Sequence, residues 1–183
     1  MYVIGISGGV ASGKTTLAKQ ISSMFDNVTV LSLDNYFYPY SELSLEERKK
    51  IDFDNPQVYD YDLIVKHINM LSNNQEVELP TYSFADYTRG KETIKLQPPK
   101  VLIVEGYAVL HNEKLRKLLN YSVFVDVDEK TQLNRMLKRD VLERARTESE
   151  ILNHFNTTIK SSNQNYIQPQ KQYANLVVVG GVK

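Results

Sequence analysis

Residues 8–15 carry the most specific chemical pattern in the chain. They read Gly-Gly-Val-Ala-Ser-Gly-Lys-Thr, which matches G-x-x-x-x-G-K-[ST]. Glycines at this spacing let successive backbone N–H groups face one anion, and a helix that starts there adds its positive dipole end. We predict a phosphate-binding loop in which Lys14 reaches the β- and γ-phosphates and the Thr15 hydroxyl ligates Mg²⁺. The residues predicted to contact the nucleotide are Gly8, Gly9, Val10, Ala11, Ser12, Gly13, Lys14, Thr15 and Thr16.

Two carboxylates follow strand-like runs. Asp34 comes after Leu33, and Glu105 comes after Val104. Ligands of open parallel sheets bind beyond the carboxyl ends of the strands, where the loop after the first strand also lies. One carboxylate there is often a helix N-cap, but two beside a phosphate loop favour a magnesium and proton-transfer pair. The chain lacks the D-x-x-G and N-K-x-D motifs typical of GTPases, so that class is disfavoured.

Arginines are concentrated late in the chain, at Arg135, Arg139, Arg144 and Arg146. Arg135 and Arg139 are i,i+4 neighbours on one predicted helix face. They could form a solvated face with ion pairs to Asp140 and Glu143. Phosphoryl transfer, however, needs several cations around the transferred group, so we favour a phosphate clamp. The predicted core-facing stripe of the same helix is Leu133, Met136, Leu137 and Val141.

Aromatic residues are frequent between positions 36 and 61, where we expect most of them to pack in the core. The segment Phe53-Asp54-Asn55-Pro56 differs, because it joins a ring that can stack on a base to a carboxylate that can accept from ribose hydroxyls. The aromatic residues of the region are Tyr36, Phe37, Tyr38, Tyr40, Phe53, Tyr59 and Tyr61.

Strand-like and helix-like patterns alternate along the chain, which predicts a three-layer α/β fold with a parallel five-stranded sheet. The predicted strands are 2–7, 28–33, 101–104, 121–125 and 176–179. The predicted helices are 14–25, 44–51, 62–71, 113–119, 129–143 and 148–166. An inserted β-hairpin is predicted at about 77–97, with its turn at Arg89-Gly90-Lys91, and a helical lid at about 140–150. With no repeat or linker, we predict one domain over 1–183.

Composition excludes several classes of protein. Lys and Arg together number 22, as do Asp and Glu, so no net charge attracts nucleic acid or an anionic membrane. Cysteine is absent, which excludes disulfides and a cysteine nucleophile. No signal-type segment or membrane-length apolar run is present, and we therefore expect a cytoplasmic protein.

Taken together, these residues resemble the uridine/cytidine kinase family of P-loop nucleoside kinases. The resemblance covers nearly the whole chain. It is carried by the segments Gly5-Ile6-Ser7-Gly8-Gly9, Leu31-Ser32-Leu33-Asp34-Asn35-Tyr36-Phe37, Phe53-Asp54-Asn55-Pro56, Leu79-Pro80-Thr81-Tyr82-Ser83-Phe84, Val104-Glu105-Gly106, Phe124-Val125-Asp126-Val127-Asp128, Arg139-Asp140 and Glu143-Arg144-Ala145-Arg146.

The resemblance implies ATP- and Mg²⁺-dependent phosphorylation of the 5′-hydroxyl of a pyrimidine ribonucleoside. It implies that Asp34 is the general base, that Glu105 supports magnesium through water, and that Asp54 holds the ribose. The residues expected to line the acceptor pocket are Phe37, Phe53, Tyr82 and Tyr87. Arg139 and Arg144 would contact phosphates, and Arg146 would lie on the nucleoside side. Members often form tetramers, so a homo-oligomer is left open by resemblance alone.

Five departures from the family pattern cluster on recognition of the acceptor. Asn55 and Tyr87 each replace a histidine, Met136 an arginine and His154 a glutamine, while Val179-Gly180-Gly181 stands in place of P-R-G. The preferred base is therefore open, and from Tyr87 and Met136 we expect cytidine to be the better acceptor. A kinase of another small molecule (another nucleoside, a vitamin or a sugar phosphate) and a nucleotide-binding regulatory protein remain alternatives.

Overall fold

The computed structural model describes residues 1–144 and 146–180. Its main feature is a parallel five-stranded sheet with the order β2-β5-β1-β6-β7, so the predicted α/β fold is confirmed. The strands of this sheet are β1 (Tyr2–Gly8), β2 (Val28–Ser32), β5 (Val101–Gly106), β6 (Tyr121–Asp126) and β7 (Leu176–Val179); β3 (Val77–Ser83) and β4 (Thr88–Leu96) form a separate antiparallel pair.

The sheet separates two hydrophobic cores, because neighbouring side chains of a strand point to opposite faces. Along β5, Leu102 and Val104 face one core and Ile103 faces the other. The edge strand β7 is not buried on both faces. Leu176 is 46% exposed and Val179 80% exposed, because β7 has a partner strand on one side only.

Helices cover the sheet and continue beyond it. They are α1 (Lys14–Ser23), α2 (Leu45–Arg48), α3 (Tyr61–Ser72), α4 (Glu113–Arg116), α5 (Glu129–Glu143), α6 (Glu148–His154) and α7 (Lys160–Ser162). Short 3₁₀ helices occupy Leu33–Tyr36, Pro56–Val58 and Gln168–Tyr173. Among the described residues, no helix is both long enough and apolar enough to cross a bilayer.

The segment predicted as one helix over 148–166 is helical but not uniform. Two π-helical turns, Phe155–Ile159 and Asn163–Ile167, flank α7. Ile151, Phe155 and Ile159 pack with Met136 of α5 in a third buried cluster. This cluster fixes α6 against α5. Val141 departs from the predicted core-facing stripe of α5, since it is 41% exposed.

The hairpin lies where the sequence predicts it, but its turn is formed by residues 84–87 and not by Arg89-Gly90-Lys91. Ser83 Oγ donates to Asp86 Oδ2 at 2.6 Å, which stabilises the turn. Arg89 belongs to β4, where its Nε donates to the Phe37 carbonyl at 2.9 Å. Gly90 marks a close approach within the strands, because a Cβ there would collide with the Thr81 hydroxyl.

Two sequence expectations fall partly on residues whose structure is not described. The predicted lid at about 140–150 includes Ala145, and the departure at the end of β7 includes Gly181; both residues lie outside the described ranges. Near these undescribed residues, the structure describes α5, α6 and Gly180.

Candidate active site

The loop between β1 and α1 forms an open cradle of backbone groups. Gly13 adopts left-handed dihedrals (φ 96°) and caps α1, with no side chain bonded to the free N–H groups of the first turn. Gly9 is covered by the Gln132 amide, with which a Cβ would collide. The first turn of α1 contains no acidic residue. The cradle therefore fits an anion, as the sequence predicts for residues 8–16.

Lys14 lies in this cradle, half-buried, with its Nζ 3.3 Å from the Gly9 carbonyl. Thr15 follows on the exposed face of α1, and its Oγ1 donates to Glu105 Oε2 at 3.2 Å. Glu105 lies in β5 and is only 5% exposed. The sheet register places β5 directly beside β1, so Thr15 and Glu105 are brought together by strand order alone.

Asp34 lies in the 3₁₀ turn after β2, on the other side of β5. Its Oδ1 accepts a hydrogen bond from the Tyr59 hydroxyl at 3.2 Å. Tyr59 itself is buried and stacks on Phe37 with 4.6 Å between ring centroids. Sequence reasoning assigned Tyr59 to the core and missed this contact. In the structure, an isolated antiparallel β-bridge pairs Tyr59 with Phe37, which follows the turn that contains Asp34. No motif or spacing in the sequence indicates this pairing.

The two carboxylates and the lysine form one electrostatic group. Burial raises the pKa of Asp34, and the positive charge of Lys14 opposes that shift. Burial also raises the pKa of Glu105, and the positive charge of Lys14 again opposes that shift. Burial lowers the pKa of Lys14, while Glu105 and Asp34 act to raise it. Lys14 and the two carboxylates stabilise one another's charges, whereas Asp34 disfavours the charge on Glu105; coupled, buried charges of this kind are typical of a functional cleft.

These side chains suit a magnesium ion that is shared with phosphates. Within the described ranges, no three acidic or histidine side chains converge on one point. Mg²⁺ usually takes only one or two protein oxygens and completes its shell with water and substrate phosphates. The Thr15 hydroxyl and the Glu105 carboxylate meet that requirement, with Asp34 nearby.

Asp140 gathers three of the four arginines. It is 0% exposed, and its Oδ1 lies 2.6 Å from Arg139 Nε and 3.6 Å from Arg144 Nε. Arg146 NH1 lies 3.4 Å from the other oxygen. The ion pairs with Asp140 that we considered for a solvated helix face are thus present. Asp140 itself is buried, however, which a solvated face does not explain. Arg139 NH2 is also buried and has no hydrogen-bond partner among the described residues, which leaves a donor for a ligand.

Arg135 takes a different place from the other three arginines. Its NH1 donates to the Ser12 carbonyl at 3.1 Å and lies 3.4 Å from the Ala11 carbonyl. Its NH2 lies 3.4 Å from the Gly180 carbonyl. Arg135 therefore braces the outer side of the phosphate loop.

Replacing Asp140 should destabilise the protein, because Asp140→Asn leaves three guanidinium groups around an uncharged amide. We expect a loss of about 2–3 kcal/mol, below the usual cost of breaking a fully buried pair because the arginines are partly exposed. That corresponds to a fall of roughly 5–10 °C in Tm. Thermal unfolding followed by circular dichroism measures it. Asp62→Asn, which removes only an exposed contact with Lys114, is the matched control; an equal shift in both variants would contradict the role of Asp140.

An aromatic box faces Asp34 from the hairpin side. Phe37 lies 5.1 Å from Phe53 and 5.1 Å from Tyr82, between ring centroids. Tyr87, held at φ 52° in the turn of the hairpin, lies 5.8 Å from Phe53. The Tyr82 hydroxyl is buried, and within the part of the chain that the structure describes it has no hydrogen-bond partner. The structure therefore brings together the four aromatic residues that the sequence assigns to the acceptor.

Asp54 and Arg146 are linked through His154, which lies between them. His154 Nε2 lies 2.7 Å from Asp54 Oδ2, and its Nδ1 lies 3.4 Å from the Arg146 guanidinium. Two other positions that differ from the family pattern, Asn55 and Met136, have different surroundings. Asn55 caps the 3₁₀ helix Pro56–Val58 by accepting from Gln57 N at 3.0 Å. Met136 is buried in the cluster between α5 and α6. It therefore does not support the predicted preference for cytidine.

Comparisons with known proteins agree with this geometry. The profile of the phosphoribulokinase/uridine kinase family matches residues 3–182. The chain is 37% identical to a uridine kinase of Lactobacillus helveticus over 98% of this chain and 86% of the relative. It is 36% identical to a uridine kinase of Halalkalibacterium halodurans, with the same coverage of both chains.

Solved structures share the fold at lower identity. Phosphoribulokinase from Rhodobacter spheroides superimposes with a TM-score of 0.68 at 13% identity, covering 97% of this chain and 69% of that one. D-glycerate 3-kinase from Cryptococcus neoformans superimposes with a TM-score of 0.65 at 17% identity, covering 92% and 80%.

Proposed function

Because the chain belongs to the phosphoribulokinase/uridine kinase family, we propose that it phosphorylates the 5′-hydroxyl of a pyrimidine ribonucleoside with ATP and Mg²⁺. The observation that carries this proposal is the placement of Asp34 between a phosphate cradle and an aromatic box. Lys14 and Glu105 border Asp34 on the cradle side, and Phe37, next to the Asp34 turn, contacts Phe53 and Tyr82 on the other.

Each residue then has a separate part in the reaction. Asp34 accepts the proton of the acceptor hydroxyl, whose oxygen attacks the γ-phosphorus in line; the bond from that phosphorus to the β–γ bridging oxygen breaks, and ADP leaves. Lys14, Arg139 and Arg144 stabilise the negative charge on the transferred group. Thr15 would ligate Mg²⁺ and Glu105 would support it through water; when bound, the ion would supply positive charge that neutralises the phosphates. Asp54 and Arg146 hold the sugar, and the aromatic box excludes water from the reacting atoms.

The raised pKa of Asp34 suits a general base. A carboxylate in low-dielectric surroundings binds a proton more readily than one in water. Tyr59 donates to one oxygen of Asp34 and leaves the other free for the acceptor hydroxyl.

A panel of acceptors tests the proposal. Uridine, cytidine, purine nucleosides, pantothenate and ribulose 5-phosphate are each incubated with ATP and Mg²⁺, and ADP release and phosphorylated product are both measured. ADP release that requires uridine or cytidine, with the matching monophosphate as product, supports the proposal. Product from another acceptor supports a kinase of that class, which the changed positions Asn55, Tyr87 and His154 favour as the second candidate. Binding or turnover of ATP that no acceptor stimulates supports a regulatory protein.

Lysine should not replace the clamp arginines fully. In Arg139→Lys and Arg144→Lys the charge is kept, but the guanidinium fork that reaches both Asp140 and a phosphate is lost. We expect each variant to lose about tenfold or more in kcat/KM for ATP. Steady-state kinetics measure this loss. Lys138→Ala on the exposed face of α5 is the control. If both arginine variants kept the wild-type kcat/KM for ATP, Arg139 and Arg144 would be part of a solvated helix face and not a phosphate clamp.

Cytidine should be a better acceptor than uridine. The two bases differ at position 4, where cytosine offers an amino donor and uracil a carbonyl acceptor. Tyr87 replaces a base-reading histidine of the family, and a tyrosine hydroxyl whose proton is engaged elsewhere presents only lone pairs. These suit the amino group, and we expect roughly tenfold discrimination. The ratio of kcat/KM for the two nucleosides is measured in the wild type and in Tyr87→His. A preference for uridine in the wild type, or an unchanged ratio in the variant, would contradict the assignment.

A further inference from the structure

His154 stands between the two halves of the candidate site. It is the last residue of α6, directly before the π-helical turn Phe155–Ile159. Its Nε2 lies 2.7 Å from Asp54 Oδ2 on the acceptor side. Its Nδ1 lies 3.4 Å from both terminal nitrogens of Arg146. Neither contact is between sequence neighbours, so the fold itself creates the link.

The partners of the ring assign its protons. A carboxylate at Nε2 requires that nitrogen to donate, and a guanidinium at Nδ1 requires that nitrogen to accept. The neutral ring with its proton on Nε2 satisfies both partners at once. From the loop before α3 the charged group facing the ring is Asp54; from the segment after α5 it is Arg146, and Asp140 of α5 lies behind Arg146.

The contacts continue from Arg146 to the phosphate clamp. Arg146 NH1 lies 3.4 Å from Asp140 Oδ2, and its backbone N donates to the Asp140 carbonyl at 3.2 Å. Asp140 Oδ1 accepts from Arg139 Nε at 2.6 Å. A continuous series of polar contacts therefore runs from Asp54 to Arg139. Its centre at Asp140 is buried, where such contacts are stronger than in water.

The backbone around His154 supports this route. Ile151 and Phe155, on either side of it in α6 and the following turn, pack in the cluster that also holds Met136. His154 is thus carried on the same packed unit as Arg139 and Asp140. Asp54 lies on a different segment, before α3, and His154 is the contact that joins it to this unit.

On the basis of the proposed function, we propose that His154 is a positioning residue. It couples binding of the acceptor at Asp54 to the arginines that hold the phosphates of ATP. His154 fixes one oxygen of Asp54 and leaves the other for the sugar hydroxyls. A nucleoside bound at Asp54 and a nucleotide bound at Arg139 therefore order the same series of contacts. Each ligand should strengthen the binding of the other by the same factor.

Calorimetric titration measures that factor. The dissociation constant of uridine, or of cytidine where cytidine is the nucleoside phosphorylated, is determined alone and with saturating Mg²⁺ and the β,γ-methylene analogue of ATP. We expect the analogue to tighten nucleoside binding by about fivefold or more in the wild type. In His154→Ala this ratio should fall below about twofold. In His154→Gln it should return, because an amide donates to Asp54 and accepts from Arg146 as the neutral ring does.

Asn153→Ala, at the adjacent exposed position of α6, is the matched control and should keep the wild-type ratio. Thermal unfolding confirms that each variant is folded. An unchanged ratio in His154→Ala, a ratio in His154→Gln as low as in His154→Ala, or loss of the ratio in Asn153→Ala would each overturn the inference while leaving the kinase assignment intact. A wild-type chain that binds and phosphorylates neither nucleoside would overturn the proposed function, and the inference with it.

Discussion

Lys14→Ala should lower kcat by about a thousandfold while the chain remains folded. In the proposed reaction Lys14 is the cation in the phosphate cradle, and the negative charge that it faces grows as the phosphoryl group is transferred. Its Nζ lies 3.3 Å from the Gly9 carbonyl. Steady-state turnover with the accepted nucleoside measures the effect.

The control for this variant is Lys19→Ala, which removes an exposed lysine from the same helix. Circular dichroism should show that both variants are folded. Turnover of Lys14→Ala within a few-fold of the wild type would remove the phosphate cradle from the mechanism.

Asp34→Asn should lose about 10²- to 10⁴-fold in kcat, with a much smaller change in KM for the nucleoside. The amide has the shape of the carboxylate but cannot take the proton of the acceptor, so the loss falls on the transition state. Asp26→Asn, in the exposed turn before β2, is the control. Raised KM with unchanged kcat would reassign Asp34 to binding of the acceptor.

The pH dependence of the wild type gives a second view of Asp34. Only the deprotonated carboxylate can accept the proton, and burial raises the pKa of Asp34 above its usual value. Activity should therefore fall as the pH drops through that raised pKa, and the fall should begin at a higher pH than for a solvent-exposed aspartate. Tyr59→Phe, which removes the hydrogen bond that favours the charged form, should move this limb to still higher pH.

The phosphate cradle and its carboxylates could be predicted from the sequence because strand ends determine them. In a parallel sheet every βα loop opens at the same edge, so Lys14 after β1, Asp34 after β2 and Glu105 at the end of β5 must meet there. Nothing about side-chain packing is needed for that conclusion.

The turn of the hairpin could not be predicted in the same way. Arg89-Gly90-Lys91 has the local composition of a turn, but tertiary contacts decide the register. Arg89 donates to the Phe37 carbonyl and pairs with Asp60 at 3.0 Å, which holds it in β4. The π-helical turns also depend on packing with α5, which periodicity along one segment does not contain.

Asp140 and His154 show the same limit for the site. An acidic residue among arginines has the sequence pattern of an exposed helix, but Asp140 is buried in the structure, with Arg139 and Arg146 against its carboxylate. His154 follows Asp54 by 100 residues, and no motif connects them. The positions of individual residues at the sheet edge were predictable, whereas the contacts that connect them required the structure.

The central claim is that this chain transfers a phosphoryl group from ATP to the 5′-hydroxyl of a pyrimidine ribonucleoside. The most direct measurement uses ATP labelled with ³²P at the γ position, Mg²⁺ and either uridine or cytidine, with chromatography that separates the 5′-monophosphate from its 2′ and 3′ isomers. The account predicts labelled 5′-monophosphate from the wild type and almost none from Asp34→Asn. Label that remains in ATP or appears only as inorganic phosphate, with both nucleosides present, would contradict it.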